Sequence, residues 1–162
     1  MDPLSLRTGI GYDVHALAAG RPCILGGVTI PHPVGPDGHS DADVLCHAIA
    51  DALLGATGLP DIGYYFPPSD ESIRGISSLE ILRRVAALLT ENGFQILNVD
   101  STLIAEAPKI LPHLAAMKAN IAAALGLESS RVGIKATTNE KMGFLGRQEG
   151  IAALATAALA GV

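Results

Sequence analysis

Apolar residues recur with two different periods along this chain, and the switches between them predict strands alternating with helices. Residues 8–15, TGIGYDVH, read as a β-compatible segment. Two further apolar runs, Cys23–Leu25 and Val28–Ile30, flank Gly26-Gly27, a dipeptide suited to a two-residue hairpin turn. Pro31, Pro33, Pro36 and Gly38 then predict a loop. Ser40, with Asp43 three residues on, reads as the N-cap of an Ala/Leu-rich helix ending near Gly55 or Gly58. From Gly58 to Gly75, the added Pro60, Gly63, Pro67 and Pro68 predict a long loop without regular structure.

A second capping box, Ser77-Ser78-Leu79-Glu80, opens a helix with Leu79, Leu82, Val85, Ala86 and Leu89 at helical spacing, closed by Gly93. Phe94 to Ala105 reads as a strand, Pro112 to Leu125 as a third helix before Gly126, and Arg131 to Thr137 as another strand. The tail Ile151 to Ala160 is ambiguous: its alanines favour helix, while its place after a glycine-rich loop suits a core strand. Propensity alone says helix. Strands alternating with helices of this length indicate a two-layer α/β (α+β) arrangement, and 162 residues without a linker indicate a single domain, 1–162.

Charge narrows the partners. Acidic residues outnumber basic ones 16 to 11, leaving no basic stripe of the kind nucleic acid requires. Lys135, Lys141 and Arg147 nevertheless lie close together in sequence, which suits a small anionic ligand. Apolar residues make up 49% of the chain, with no Trp and few aromatics, an excess of aliphatic surface that points to a closed homo-oligomer. Cys23 and Cys46 form no CxxC pair and read as reduced thiols. No stretch approaches 18 apolar residues and the N-terminus MDPLSLRTGIGYDVH lacks a leader pattern, so no membrane partner and a cytoplasmic location are expected.

In an extended segment Asp13 and His15 point to the same face, a sound start for a metal site or for a hydrogen-bonded structural pair. His47 shares a helical stripe with Asp43 and Asp51, which reads equally as a source of a third ligand or as a solvated face. An Asp-His-His set leaves one tetrahedral position open, as catalytic Zn²⁺ requires; Mn²⁺ or Co²⁺ suits the same donors. His39-Ser40 lies at a helix entrance that favours an anion, or Ser40 only caps. The segment from Lys135 to Arg147 combines cations, the paired hydroxyls of Thr137 and Thr138, and Glu140. That mixture suits phosphate with Mg²⁺ or Mn²⁺, or an ordinary polar turn. His32 and His113 are assigned to surface or packing roles and Asp61 to an Asx-turn. GxSxG, Walker A and GxGxxG patterns are absent.

Taken together, GYDVH, GHSDADVLCHAIADALLGATGLPDIGYYFP, APKILPH and IKATTNEKMGFLGRQEGIA resemble, in that order and along nearly the whole chain, the 2-C-methyl-D-erythritol 2,4-cyclodiphosphate synthase family. The resemblance implies a chorismate-mutase-like homotrimer, each subunit a mixed four-stranded sheet with helices on one face and the active sites between neighbours. It makes the Ala-rich tail a strand, since a buried interface strand can override propensity. It implies Zn²⁺ or another divalent transition metal on Asp13, His15 and His47, and Mg²⁺ or Mn²⁺ with the substrate diphosphate at Glu140.

The implied substrate is a cytidine diphosphate, 4-diphosphocytidyl-2-C-methyl-D-erythritol 2-phosphate. Its own 2-phosphate attacks the β-phosphorus and expels CMP, a step of non-mevalonate isoprenoid synthesis. His39 and Thr138 resemble the transition-state stabilisers. Substrate contacts are implied at Asp13, Val14 and His15, at His39 and Ser40, and at Thr137, Thr138, Asn139 and Glu140. The methylerythritol portion would meet Asp61, Ile62 and Gly63, then Phe66, Pro67, Pro68, Ser69 and Asp70. The cytidine would lie along Ala105, Glu106, Ala107 and Pro108, then Lys109, Ile110 and Leu111. Phe144 and Arg147 resemble residues of a central cavity where some relatives hold an isoprenoid diphosphate. Two positions depart from the pattern: Pro68 stands where relatives commonly carry Asp, and Glu106 where many carry an uncharged residue. Without the resemblance, a metal-dependent phosphohydrolase or a non-catalytic metal-binding trimer would carry the same ligands.

Overall fold

In the computed structural model, which describes residues 5–162, the alternation around residues 8–15 extends both ways into one long strand, β1 (Leu6–Ala19). The leader-free reading of the N-terminus falls partly on residues 1–4, outside the described residues. The expected hairpin forms from β2 (Cys23–Leu25) and β3 (Val28–Ile30), with Gly26 and Gly27 at φ 56° and 70°, the left-handed pair that such a turn needs. The proline-rich stretch that reads as loop contains a short strand, β4 (Val34–Pro36), paired antiparallel with Leu17, Ala18 and Ala19. An edge strand tolerates proline because one side of its backbone needs no partner.

The first long helix, α1 (Val44–Thr57), starts three residues later than expected: Asp43, not Ser40, is its N-cap, and Gly58 at φ 75° ends it. The Asp43 carboxylate accepts from Cys46 N–H at 3.2 Å and from Gly27 N–H at 2.7 Å, so the hairpin itself selects the cap. The supposed structureless stretch holds α2 (Ile62–Tyr65) and a 3₁₀ turn, Glu71–Ile73, capped by Asp61 and Asp70 respectively. In α3 (Ser78–Glu91) the expected capping box does not form: Ser77 makes no side-chain cap bond and Glu80 pairs with Arg83 and Arg84. Asp41 caps this helix from outside, accepting Ser78 N–H at 2.9 Å. Then come β5 (Phe94–Ile104), a 3₁₀ turn (Leu111–His113) where the third helix was expected to begin, α4 (Leu114–Leu125), β6 (Val132–Thr137), α5 (Gly143–Gly146) and β7 (Gly150–Gly161).

The main sheet runs β4-β1-β7-β5-β6, with only β5 and β6 parallel. It has five strands rather than four, because β4 extends the β1 edge. The Ala-rich tail is its central strand: β7 pairs with β1 on one side and β5 on the other, so the sheet satisfies its backbone and overrides the helical preference of alanine. Ala153, Ala155, Ala157 and Leu159 are buried toward the helical layer, and Leu154 and Thr156 point away.

Small residues make the layers fit. A Cβ on Gly11 would lie 1.9 Å from the Ala48 carbonyl oxygen, and one on Gly9 2.1 Å from that of Ala52. The missing side chains let α1 lie against β1 at backbone contact. On the opposite face Ile10, Tyr12, Val14 and Leu154 remain 72%, 51%, 40% and 41% exposed, an uncovered apolar patch at the middle of the sheet. Cys23 and Cys46 are buried and unpaired, and burial together with nearby Asp43 raises both thiols, Cys23 to about 11. Among the described residues no helix is long and apolar enough to cross a membrane.

Candidate metal centre and active site

The alternation of β1 that turns Gly9 and Gly11 toward α1 turns Asp13 and His15 the same way, and His47 in the first turn of α1 meets them. Asp13 Oδ2 is 2.9 Å from His15 Nε2 and 3.1 Å from His47 Nδ1, and the two nitrogens are 3.2 Å apart. A tetrahedral ion with bonds near 2.0–2.1 Å needs donors about 3.3 Å apart, so a few tenths of an ångström of opening would admit one. Neutral imidazole nitrogens and a carboxylate oxygen are the donor set that Zn²⁺, Mn²⁺ and Co²⁺ share. His15 Nδ1 donates to the Asp37 carbonyl at 2.8 Å, which holds the ring with Nε2 in the triangle, where it bonds Asp13 at 2.9 Å until an ion takes the place of its proton.

Burial by itself would raise the Asp13 carboxyl, but hydrogen bonds from His15 and His47 and their charge outweigh it and hold it at about 2. Burial would likewise lower His15, and its bond to Asp13 reverses the sign, leaving it above its ordinary value.

The polar stripe on α1 does not face solvent. Asp43 is fully buried as the cap, and Asp51 Oδ1 accepts Ile62 N–H at 2.9 Å, hanging α2 on α1. The result is a cavity of about 200 Å³ that Asp13, His15 and His47 share with His39 and Ser40. Ile62, Gly63, Phe66 and Pro68 form one wall, and Ile73, Ile76 and Ile81 another. His39 Nε2 is 3.1 Å from the Asp70 carbonyl, so this imidazole ties its own loop to the 66–70 loop. Arg21 braces the loop below, donating to the carbonyls of Pro36, Gly38 and Ser40. Asp61 accepts Tyr64 N–H as the expected Asx-turn, and Asp70 is bound to Ser72. A larger groove of about 730 Å³ beside Phe94, Leu125 and Val162 contains none of the ligating triad.

The other half of the expected site lies elsewhere. Thr137, Thr138, Asn139 and Glu140 leave the end of β6, and Ala105 to Leu111 leave the end of β5, away from the Asp13 cavity. Register puts Val14, Ala152, Ile104 and Thr137 in one row across the sheet, so Thr137 is level with the metal ligands but three strands away, roughly 14 Å. Glu106 closes this half: one carboxylate oxygen accepts the N–H of Asn139 at 2.9 Å and of Lys141 at 3.1 Å. Glu140 and Lys141 there take left-handed conformations, with Glu140 N–H donating to Thr138 Oγ1 at 3.2 Å. Lys109 and Leu111 are exposed and Ile110 is buried. The three neighbouring cations do not gather: Lys135 pairs with Asp100, and Arg147 with Glu149 at 2.8 Å. Phe144 lies in α5, partly exposed, ahead of β7.

The sequence shows Ser78 only within a capping box and gives no sign that its hydroxyl stands 2.9 Å from His47 Nε2 or that Asp41 binds it. His47 and Asp41 lie 31 and 37 residues from Ser78, and no local spacing signals either contact.

A YgbB family model matches residues 6–160. The chain is 63% identical over 153 residues to a 2-C-methyl-D-erythritol 2,4-cyclodiphosphate synthase of Akkermansia muciniphila, covering 94% of this chain and 90% of that one. It is 60% identical to the synthase of Symbiobacterium thermophilum, covering 94% and 98%. Among solved structures, IspF of Plasmodium falciparum in complex with CDP superposes with a TM-score of 0.85 at 34% identity, covering 97% of each chain. The bifunctional IspDF of Campylobacter jejuni gives 0.93 at 42% identity; the match covers 97% of this chain and 42% of that longer one.

Proposed function

The chain belongs to the YgbB family, and from that premise we infer that it converts 4-diphosphocytidyl-2-C-methyl-D-erythritol 2-phosphate to 2-C-methyl-D-erythritol 2,4-cyclodiphosphate with release of CMP, in the non-mevalonate isoprenoid pathway. The observation that carries this reading is the triangle of Asp13, His15 and His47 donors opening into a cavity beside His39. Asp13, His15 and His47 would hold Zn²⁺ or a similar ion and Glu140 would hold Mg²⁺ or Mn²⁺, which when bound draw negative charge from the diphosphate oxygens. The substrate's 2-phosphate is the nucleophile, so the protein's work is positioning and charge stabilisation. His39 and Thr138 donate to oxygens that gain charge in the transition state. Ser40 and the residues that open α2, Asp61 to Gly63, hold the methylerythritol end, with Phe66 to Asp70 as its wall and Val14 reaching the substrate through its backbone alone. At the Pro68 position the side chain supplies an apolar surface and no carboxylate. Ala105 to Leu111 receive the cytidine, with Lys109 near the phosphates.

Two half-sites at opposite edges of one sheet cannot serve one substrate within a subunit. A homotrimer with rotational symmetry joins the Asp13 edge of one copy to the Thr138 edge of the next, and the uncovered Ile10, Tyr12, Val14 and Leu154 face supplies the apolar surface to bury. In this assembly Phe144 and Arg147 face the central cavity, where an isoprenoid diphosphate is the proposed occupant. Residues 1–162 act as one synthase domain, and a cytoplasmic setting belongs to the same reading. Phosphorus NMR of the metal-loaded protein with the substrate tests the activity. A cyclic diphosphate and CMP are expected; inorganic phosphate or a linear diphosphate would move the assignment to a phosphohydrolase.

The centre also predicts a pH dependence. A metal must displace the proton from His15, whose affinity for it is raised by Asp13, while Asp13 at about 2 stays ionised throughout. Zn²⁺ affinity is therefore expected to rise about tenfold per unit as pH climbs toward the His15 value and to level off only above the ordinary histidine range. Chelator-competition titrations between about pH 5.5 and 8.5 check the slope; a flat profile would remove His15 from the ligand set.

A further inference from the structure

His47 turns Nδ1 toward the triangle, and its other ring nitrogen lies 2.9 Å from the Ser78 hydroxyl at the first residue of α3. Both oxygens of Asp41 are engaged with Ser78: Oδ2 accepts its backbone N–H at 2.9 Å and Oδ1 its hydroxyl. Oδ1 also accepts Asp43 N–H at 3.2 Å. An ionised carboxylate only accepts, so the Ser78 proton is committed to Asp41 and the hydroxyl offers His47 a lone pair. Ser78 therefore favours the Nε2–H tautomer of His47, whose Nδ1 is the lone pair a ligand needs, over the Nδ1–H form that donates to Asp13 Oδ2 at 3.1 Å. Ser40 Oγ is more distant at 3.2 Å and is engaged by Ala42 N–H at 3.0 Å. Ser78 is fully buried, which shields the contact from water.

We propose that Ser78 and Asp41 form a positioning relay that sets the tautomer and ring orientation of His47, and through them the metal affinity of the Asp13, His15 and His47 centre. This rests on reading that triad as a metal centre. His15 has its outer nitrogen held by a backbone carbonyl that no side-chain substitution removes; His47 depends on two replaceable side chains. Because Asp41 also caps α3, one carboxylate couples the start of that helix to the ligand.

The test uses the full chain as wild type, Ser78→Ala, Asp41→Asn and Ser78→Thr, with Zn²⁺ alone as the probe in competition with a chromophoric chelator. Long-range proton–nitrogen NMR of the metal-free proteins reports the His47 tautomer. Ser78→Ala is expected to lower Zn²⁺ affinity by about 10–100-fold and to mix the tautomers, with Asp41→Asn acting in the same direction and Ser78→Thr restoring the Nε2–H form. A purely structural role would shift thermal stability while leaving both readouts in place. Ser78→Ala affinity within about twofold of wild type, with an unchanged tautomer, overturns the relay. A wild type that binds no Zn²⁺, or binds it as well after His47→Ala, overturns the metal centre beneath it instead.

Discussion

Replacing His47 by alanine is expected to abolish transition-metal binding at the Asp13 centre and to lower turnover by at least ~10²–10³-fold. The substitution removes one corner of a triangle whose edges are 2.9 to 3.2 Å, and the remaining Asp13 and His15 cannot enclose an ion. The fold should survive. The rest of α1 is held by Leu45, Ile49, Leu53 and Leu54, all fully buried, and Asp41 retains Ser78 without the imidazole. Metal content by elemental analysis, circular dichroism and the product assay together distinguish loss of site from loss of structure. Full turnover with the triangle broken would show that the chemistry does not use this centre.

Gly11→Ala is expected to be as damaging although it adds one methyl group and touches no ligand. Its Cβ would sit 1.9 Å from the Ala48 carbonyl and 2.7 Å from the Ala52 amide, backbone atoms that cannot rotate away. The helix must retreat by more than about 1 Å to restore van der Waals distance, and His47, one residue before Ala48, retreats with it. We expect a destabilisation of about 3 kcal/mol, a Tm lower by roughly 10 °C, and weakened Zn²⁺ binding in the fraction that folds. The contrast is Gly55→Ala, further along the same helix, where the new Cβ would have its nearest neighbour at 3.8 Å. That change should be neutral or stabilise by about 0.5–1 kcal/mol through helix propensity. Calorimetry and chelator titration of the two variants check both effects; equal behaviour would refute the close-approach account.

Local patterns carried much of this protein. Period-two alternation placed Asp13 and His15 on one face, because neighbouring side chains of a strand always diverge. Gly26-Gly27 announced its hairpin because few other residues adopt two left-handed conformations in succession. Capping chemistry located the first long helix but not its first residue: Ser40 and Asp43 both qualify, and the distant Gly27 amide chose Asp43. The alanines of β7 favour a helix in isolation, and only two flanking strands competing for its backbone decide otherwise.

The candidate metal ligands divide the same way. Sequence by itself put Asp13 and His15 on one face, as a metal site or a structural pair, and the resemblance implied all three residues as ligands. Periodicity left His47 undecided because a polar helical stripe faces solvent or a site according to what packs against it. The tertiary structure decided that by laying α1 on Gly9 and Gly11, which brings residues 13, 15 and 47 within hydrogen-bond distance. It alone also decided that Ser78 stands behind His47 and that Thr138 and Glu140 leave the opposite edge of the sheet. Strand order and helix packing are relations between segments tens of residues apart, and no local propensity encodes them.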